Sequence, residues 1–359
     1  MSLKELGWDV HFDRLWHERP VDGCVPARVV SQHRGLWRIA GDFEERWAAP
    51  SGKMRAVAVG RSDWPAVGDW VAAETPDGAQ QATIHGVLPR RSQFVRKTAG
   101  KRVAQQVIVA NVDTAFIVVA LDGDFNLRRL ERYLAQGKES GARPVVLLNK
   151  TDECSELAER VAEVERVAMG APVFAVSARH GHSVGALDAF LAAGQTVVLL
   201  GSSGAGKSTL VNRLLGQELQ QVQPIRESDS RGRHTTTARE LLVLPGGAMV
   251  IDTPGLRELQ LWDAAEGVAE TFADVDEIAA QCRFGNCRHE EEPGCAVQAA
   301  LAAGTLDPAR LENRRKLARE QEALLRKMDP EARKEEKHKA KLQEREIRKK
   351  YRPRDEGKR

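Results

Sequence analysis

The segment VVLLGSSGAGKSTL, Val197–Leu210, constrains the fold of this chain more than any other. It has the pattern of a buried strand, a glycine loop and the first turn of a helix, an arrangement whose backbone N–H groups and helix N-terminus surround a polyphosphate. Lys207 can reach the β- and γ-phosphates, and the Ser208 hydroxyl can coordinate Mg²⁺. The residues expected to contact the phosphates are Gly201, Ser202, Ser203, Gly204, Ala205, Gly206, Lys207, Ser208 and Thr209.

Near-continuous apolar runs surround this segment. They are Thr114–Leu121, Arg143–Lys150, Ala171–Ala178 and Gln195–Gly201, with amphipathic helical stretches between them. Strands of this kind are buried on both faces by crossover helices. The sequence therefore predicts a central α/β nucleotide-binding domain.

A base-reading motif, NKTD, ends the second of these runs. The Asp152 carboxylate can accept from N1–H and the N2 amine of guanine, whereas adenine has no donors at those positions. Lys150 would lie along the base and Asn149 would brace the neighbouring loops. After the next strand, the backbone N–H of Ala178 is placed to meet the guanine O6. The base site is thus predicted to comprise Asn149, Lys150, Thr151, Asp152, Ser177 and Ala178.

The motif DTPG follows the phosphate loop at Asp252–Gly255. Asp252 can hold the Mg²⁺ shell through water, and the Gly255 N–H can meet the γ-phosphate. Between Lys207 and Asp252 lies the polar run RESDSRGRHTTT, in which Thr235 or Thr236 could complete the Mg²⁺ shell. The sequence does not choose between the two threonines.

Hydrolysis requires a group that orients water. Leu256 stands directly after DTPG and cannot polarise water, so we expect slow intrinsic turnover. His234 is the candidate catalytic replacement, acting together with Lys207; a solvent-exposed histidine without a role is the alternative.

The guanine motifs occur in an unusual order, because NKTD and SAR precede the phosphate loop and DTPG. Domain termini tend to lie close together, so joining them and opening the chain elsewhere preserves the pocket. The sequence therefore predicts a circularly permuted GTPase.

Residues 24–96 have a different texture, with five short β segments separated by turn residues. These segments are VPARVV, GLWRIAG, MRAVAVG, GDWVAAE and QATIHGVLP. The pattern predicts a small OB-type barrel, a fold that often binds RNA through one face. A structural barrel without a ligand is the alternative.

Three of the five cysteines, with one histidine, occupy the segment CRFGNCRHEEEPGC. Cys282, Cys287, His289 and Cys295 form a C-x₄-C-x-H-x₅-C pattern that suits a closed tetrahedral zinc site. Disulfide bonding is the alternative, although low cysteine use favours a reducing, cytoplasmic compartment. No apolar run approaches the ~20 residues that span a bilayer.

The net charge of +3 conceals an asymmetry. From Asp307 onward there are 20 Lys or Arg and 12 Asp or Glu, a net charge of +8, so the preceding residues together carry −5. A basic segment of this kind suits a polyanionic partner, and rRNA contact is predicted. A solubilising tail is the alternative.

The chain resembles the ribosome small subunit-dependent GTPase A proteins of bacteria. The matching motifs, in the same order over essentially the whole chain, are AVGDWV (Ala66–Val71), NVD (Asn111–Asp113), NKTD, GSSGAGKST, GRHTTT, DTPG and the cysteine cluster. The resemblance implies a barrel, a permuted GTPase and a zinc domain that bind the small ribosomal subunit during its maturation, with hydrolysis stimulated by that subunit.

We therefore expect an OB-fold-like barrel at 1–98, a circularly permuted P-loop GTPase domain at 99–262, a helical zinc-binding domain at 263–328 and a basic tail at 329–359. The expected ligands are GTP or GDP, Mg²⁺ and one Zn²⁺, with a monomer as the default state and no membrane partner. Two rivals remain open at this point: an RNA-binding zinc protein that uses GTP mainly as a structural ligand, and an ATP-dependent small-molecule kinase, which NKTD opposes.

Overall fold

The computed structural model describes residues 1–33, 35–76, 78–79, 81–97, 105–216, 239–252 and 265–328. The three expected domain boundaries, at 98/99, 262/263 and 328/329, border or fall within the remaining segments, and the tail 329–359 lies outside the described residues. None of the helices within the described ranges is both long and apolar enough to cross a membrane.

The N-terminal part forms a closed five-stranded barrel, and a short helix precedes its strands in the chain. Its elements are α1 Val10–Glu18, β1 Val25–His33, β2 Leu36–Gly41, β3 Phe43–Pro50, α2 Gly52–Val57, β4 Trp70–Glu74 and β5 Gln81–Val87. The strand order is β1-β2-β3-β5-β4, and β4 pairs back to β1. All pairs are antiparallel except β3–β5. The predicted barrel is confirmed.

One barrel strand was predicted in the wrong place. The segment MRAVAVG does not form a strand: Met54 lies in α2, whose N-terminus is capped by Ser51 accepting a hydrogen bond from the Met54 N–H. The third strand is β3, FEERWAAP, whose charged residues face solvent. Glu is uncommon in strands, but the outer face of a barrel accepts it, while the Met54 side chain packs into the barrel core.

A hairpin of β6 Gln93–Lys97 and β7 Gln105–Ala110 connects the barrel to the α/β domain. The α/β domain comprises β8 Thr114–Ala120, α3 Leu127–Glu139, β9 Arg143–Asn149, α4 Leu157–Ala168, β10 Val173–Ala175, β11 Thr196–Leu200, α5 Lys207–Leu214, β12 Arg239–Val243 and β13 Met249–Asp252. In the part of the chain that the structure describes, 3₁₀ turns lie at Arg61–Asp63 in the barrel and at Thr151–Glu153 and Val184–Phe190 in the α/β domain.

The sheet of the α/β domain has the order β10-β9-β8-β11-β13-β12, with β12 antiparallel and the other strands parallel. Strands β8, β9 and β11 are buried on both faces, as their apolar runs predict, whereas β10 is half-buried and β12 is partly exposed. In β8, Ile117 packs into the cluster on one face and Phe116 into the cluster on the other. Because β9, β8 and β11 are adjacent and parallel, their carboxyl ends lie side by side at one edge of the sheet.

The barrel and the α/β sheet share a hydrogen-bonded edge. Strand β1 pairs with β12 at Ser31↔Glu240 and Gln32↔Arg239, so that eleven strands form one continuous sheet. The Arg239 guanidinium also donates to Gln32 Oε1 at 2.9 Å. The barrel is therefore joined to the α/β sheet through β12, the strand next to β13.

A buried arginine fills the junction between barrel and sheet. Arg28, on β1, donates to Leu6 O, to Asn111 O at 3.1 Å and to Thr196 Oγ1 at 2.8 Å. Burial lowers the pKa of Arg28 to about 10, so the guanidinium remains charged at neutral pH. One side chain thus ties the barrel to the N-terminal segment and to the start of β11.

The C-terminal part is helical, as predicted: α6 Ala265–Thr271, α7 Ala273–Ala279, α8 Ala296–Ala302 and α9 Pro308–Met328. Its apolar cluster includes Phe272, Val297 and Leu317, and also Ala135 of α3. Because α3 belongs to the α/β domain, the helical part packs directly on that domain.

Candidate functional site

The phosphate loop connects β11 to α5 in a conformation that depends on glycine. Gly201, Gly204 and Gly206 have φ of +143°, +79° and +93°. A Cβ at Gly201 would collide with the carbonyl of Val118 in β8. The Lys207 ammonium donates to the carbonyls of Gly201 at 2.8 Å and Ser202 at 2.5 Å, which holds it over the loop. Ser208 and Thr209 lie in the first turn of α5.

Asn149 links the three loops that surround the nucleotide pocket. Its side chain is 3% exposed at the end of β9. Its Nδ2 donates to Ala205 O at 2.8 Å in the phosphate loop, and its Oδ1 accepts from Ala178 N at 2.9 Å in the loop after β10. The structure thus brings together the segments predicted to read the base and the phosphates, although 56 residues separate Asn149 from Ala205.

The Asp152 carboxylate is oriented by two partners. Ser177 Oγ donates to Asp152 Oδ1 at 2.6 Å, and His180 Nε2 lies 3.4 Å from Asp152 Oδ2. The hydrogen bond from Ser177 lowers the pKa of Asp152, so the group stays an ionised acceptor. This is the state that two donors on one edge of guanine require. The motif analysis did not indicate His180, which the structure places beside the predicted base-reading carboxylate.

Lys150 is held by a residue that no motif indicated. It has a left-handed backbone, φ +66°, and its ammonium lies 2.6 Å from Asp122 Oδ2. Burial is the largest single influence on Asp122 and acts to raise its pKa, but the hydrogen bond and charge of Lys150 together with the backbone N–H of Asp124 lower the pKa overall. Asp122 lies two residues after the end of β8, and residues after the carboxyl ends of parallel strands line ligand sites. That rule is the signal that could have found it.

Several predicted residues lie outside the part of the chain that the structure describes. These are His234, Thr235, Thr236 and Gly255. For Asp252 only the backbone is described; it ends β13, which pairs with the phosphate-loop strand β11 at Val198↔Ile251. The backbone of Asp252 is thus one strand away from the loop whose magnesium it is predicted to hold.

The four predicted metal ligands converge at one point of the helical part. The ligand atoms of Cys282, Cys287, His289 and Cys295 all lie within 4.8 Å of one another. Cys282 Sγ is 3.9 Å from Cys295 Sγ, and both sulfurs are 3.5 Å from His289 Nδ1. Tetrahedral Zn²⁺, with Zn–S about 2.3 Å and Zn–N about 2.0 Å, separates its ligands by about 3.5–3.8 Å. The donor set and its spacing fit zinc bound through Nδ1.

Hydrogen bonds around the cluster hold its backbone. His289 has a left-handed φ of +59°, and its carbonyl accepts from Gln298 Nε2 at 2.6 Å and from Arg315 Nη2 at 3.0 Å. Gln298 lies on α8 and Arg315 on α9, so two helices fix the ligand loop. The described cysteines form no disulfide.

An ionic network joins the metal-binding part to the α/β domain. Glu131 of α3 is fully buried and accepts from Arg310 Nη1 at 2.8 Å, Arg128 Nη1 at 2.6 Å and Asn313 Nδ2 at 2.5 Å. Arg310 also forms a two-fold contact with Asp274, at 2.8 and 2.7 Å. Each buried charge of this network has oppositely charged partners, which offset the free-energy cost of burying it.

Three features define the class of protein as a circularly permuted GTPase. A glycine phosphate loop follows a parallel strand, and an NKTD segment from an earlier strand is hydrogen-bonded to that loop. Strand β12, the last in the order of the α/β sheet, is antiparallel to the others. The barrel that precedes the GTPase domain and the Cys₃His cluster that follows it restrict the chain to a smaller group within that class. The chain belongs to the RsgA GTPase family, whose model matches residues 87–262.

The chain is 50% identical over 339 residues to the small ribosomal subunit biogenesis GTPase RsgA of Opitutus terrae, covering 92% of each chain. It is similar to the crystal structure of YjeQ from Thermotoga maritima, with a TM-score of 0.61 and 28% identity over 84% of this chain and 99% of that one. The structure of YloQ, described as a circularly permuted GTPase, has the same fold, with a TM-score of 0.57 and 22% identity over 85% and 98%.

These comparisons confirm the family, the three-part fold and the enzyme class predicted from the motifs. The chain is a GTP-hydrolysing enzyme. Membership of this family argues against the two rivals, a small-molecule kinase and a protein that holds GTP only as a structural ligand.

Proposed function

We propose that this GTPase binds the small ribosomal subunit, assists its late maturation and leaves after GTP hydrolysis, acting in the cytoplasm as a monomer. The observation that carries the proposal is the assembled guanine pocket, in which Asn149 joins the base-reading and phosphate loops. The partner is inferred from the relatives, which are named small ribosomal subunit biogenesis GTPases.

Within the pocket, each predicted residue has a proposed role. Asp152 reads the guanine edge, Lys150 lies along the base, and the Ala178 N–H meets O6. Lys207 and the loop N–H groups hold the phosphates. Ser208 and Asp252 hold Mg²⁺ together with Thr235 or Thr236, and Gly255 meets the γ-phosphate. The alignment of Asp152 by Ser177 and of Lys150 by Asp122 supports the base-reading roles.

We expect slow basal turnover because Leu256 cannot polarise water, and we propose that His234 orients the attacking water when the small subunit is bound. His234→Ala is then expected to lower subunit-stimulated turnover by about 10²-fold or more, as general acid–base groups typically contribute. Full stimulated turnover in this variant would remove His234 from the mechanism.

The barrel presents an RNA-compatible surface, which we define as His33, Arg38, Arg46 and Trp47. Trp47 is 39% exposed, Arg38 lies 5.8 Å over its ring, and the His33 ring lies 5.2 Å from it. Trp47 and His33 are exposed, and Arg38 and Arg46 are half-buried, with Arg38 also paired to Glu45 at 2.5 Å. Aromatic and cationic side chains of this kind stack bases and contact phosphates. With the basic tail, this surface supports rRNA contact, and truncation at Asp329 is expected to lower the salt dependence of subunit binding.

The metal centre is proposed to be structural. Three thiols and one imidazole complete a tetrahedral zinc site, whereas catalytic zinc keeps a position for water. The cluster packs among the apolar residues of the helical part, where Cys295 is 6% exposed. A zinc ion bound there would therefore stabilise the fold of the helical part, which packs on the α/β domain.

The test is GTP turnover at physiological salt with and without purified small ribosomal subunits, with ATP as the control substrate. We expect strong stimulation by subunits that is specific to GTP. GTP binding without stimulation would overturn the subunit as activator, and equal turnover of ATP would overturn the guanine assignment of Asp152.

A further inference from the structure

The turn that follows β10, residues 177–182, is anchored by its backbone. The Ser177 N–H donates to the His182 carbonyl at 3.1 Å, which closes the turn. Arg213 of α5, the helix that follows the phosphate loop, donates to the Arg179 carbonyl at 2.6 Å. These bonds do not involve the histidine side chains of the turn, so we expect those side chains to be replaceable without displacing it.

His180 acts on Asp152 from two directions. Its backbone N–H donates to Ser177 Oγ at 3.2 Å, and Ser177 Oγ in turn donates to Asp152 Oδ1 at 2.6 Å. Its ring Nε2 lies 3.4 Å from Asp152 Oδ2, within ion-pair distance. An imidazole donates through Nε2 both when it is charged and in the neutral tautomer that is protonated there. Each oxygen of the carboxylate thus has its own partner, Ser177 at Oδ1 and His180 at Oδ2.

Two partners leave the carboxylate able to read two donors of a base. An ionised carboxylate accepts about four hydrogen bonds, two at each oxygen. Ser177 and His180 use about half of that capacity, and guanine has two donors, N1–H and the N2 amine, for the rest. Contacts at both oxygens also restrict rotation about the last torsion of aspartate, which is otherwise broad. The carboxylate is therefore oriented before the base arrives, which lowers the entropic cost of binding.

We propose that His180 is a positioning residue for guanine selection: it holds Asp152 Oδ2 so that both carboxylate oxygens meet the two donors of the base. His180 directly follows the SAR motif and extends the base site by one residue. The inference deepens the proposed base-reading role of Asp152 and rests on it. Without the imidazole, the carboxylate is held at Oδ1 alone, and contact with one of the two guanine donors weakens. Hypoxanthine has only the N1–H donor, so its binding depends less on His180.

The test is competition of GDP and IDP against a ribose-labelled fluorescent GDP on the full chain. IDP differs from GDP only in lacking the 2-amino group. In His180→Ala we expect GDP to bind about 3- to 10-fold more weakly, the effect of about one neutral hydrogen bond, while the affinity for IDP changes less than about twofold. The preference for GDP over IDP therefore falls. Equal weakening of both nucleotides, or an unchanged preference, would overturn the proposal.

Two matched variants separate a lost donor from lost packing. Glutamine carries an amide Nε2 donor at a reach similar to that of the imidazole Nε2, so His180→Gln is expected to restore the preference for GDP to within about twofold of the wild type. His182→Ala is the control, because His182 is exposed in the same turn and its ring lies 5.8 Å from that of His180. We expect it to keep the wild-type preference. No rescue by glutamine, or an equal fall in His182→Ala, would refute the positioning role.

Asp152→Asn distinguishes a failure of this inference from a failure of the base-reading proposal. Xanthine has a C2 carbonyl where guanine has the amine, and an asparagine amide can donate to it. This variant is therefore expected to prefer XDP to GDP. Without that change the base-reading role of Asp152 fails, and the role of His180 fails with it. A change to XDP together with an unchanged preference for GDP over IDP in His180→Ala would overturn the role of His180 alone.

Discussion

Asn149→Ala removes the side chain that joins the three loops of the guanine pocket. Two hydrogen bonds are lost, to Ala205 O at 2.8 Å and from Ala178 N at 2.9 Å, in a site where Asn149 is only 3% exposed. Leaving a buried donor or acceptor unsatisfied costs about 1–3 kcal/mol. For the two groups together we expect a loss of about 2–6 kcal/mol, which corresponds to about 30- to 20,000-fold weaker nucleotide binding.

The assay is the equilibrium and stopped-flow binding of a fluorescent GDP analogue. Because the loops must hold the ligand once it is bound, we expect the loss mainly in a faster dissociation rate. Asn313→Ala is the matched control: the same substitution at a buried asparagine, 7% exposed, bonded to Glu131 at a distance from the pocket. Affinity of Asn149→Ala within threefold of the wild type, or an equal loss in both variants, would refute the bracing argument.

Three further predictions concern the rest of the molecule. Metal analysis is expected to find one Zn²⁺ per wild-type chain and none in Cys287→Ala, and this variant should lower the unfolding temperature of the helical part while GDP affinity changes less than threefold; unaltered melting would contradict a structural zinc. Arg310→Met should destabilise the helical part by about 3 kcal/mol, because Glu131 loses a buried partner, and the added change Glu131→Leu should recover much of it in thermal unfolding. Asp122→Asn should weaken GDP binding about 3- to 10-fold, since the charged hydrogen bond that holds Lys150 is lost; unchanged affinity would show that Lys150 is positioned by other contacts.

Short sequence patterns were sufficient to predict the structure where a residue type has a single physical use. The phosphate loop was predictable because Gly201 and Gly206 adopt positive φ at a strand–helix junction. The metal cluster was predictable because three thiols and an imidazole within a short segment have few other purposes. The buried strands β8, β9 and β11 were predictable from their unbroken apolar runs.

Short sequence patterns gave wrong predictions where the same residues are compatible with two structures. MRAVAVG has strand-like composition, yet Ser51 caps it as the helix α2, and Met54 seals the barrel core. FEERWAAP reads as polar, yet it forms β3 because one of its faces is solvent-exposed. In both segments the barrel decided the outcome, since burial on closure outweighs propensities that differ by about 1 kcal/mol or less.

The sequence by itself determined the family of the chain, the nucleotide that it reads and the order of its parts, because these depend on motifs a few residues long. Only the tertiary structure decided that Asp122 holds Lys150, that β12 joins the barrel at β1, and that Glu131 and Arg310 bind the helical part to α3. Glu131 and Arg310 lie 179 residues apart. Nothing local distinguishes a glutamate that will be buried and paired from one on a solvated helix face, and only the packing of distant helices makes that choice.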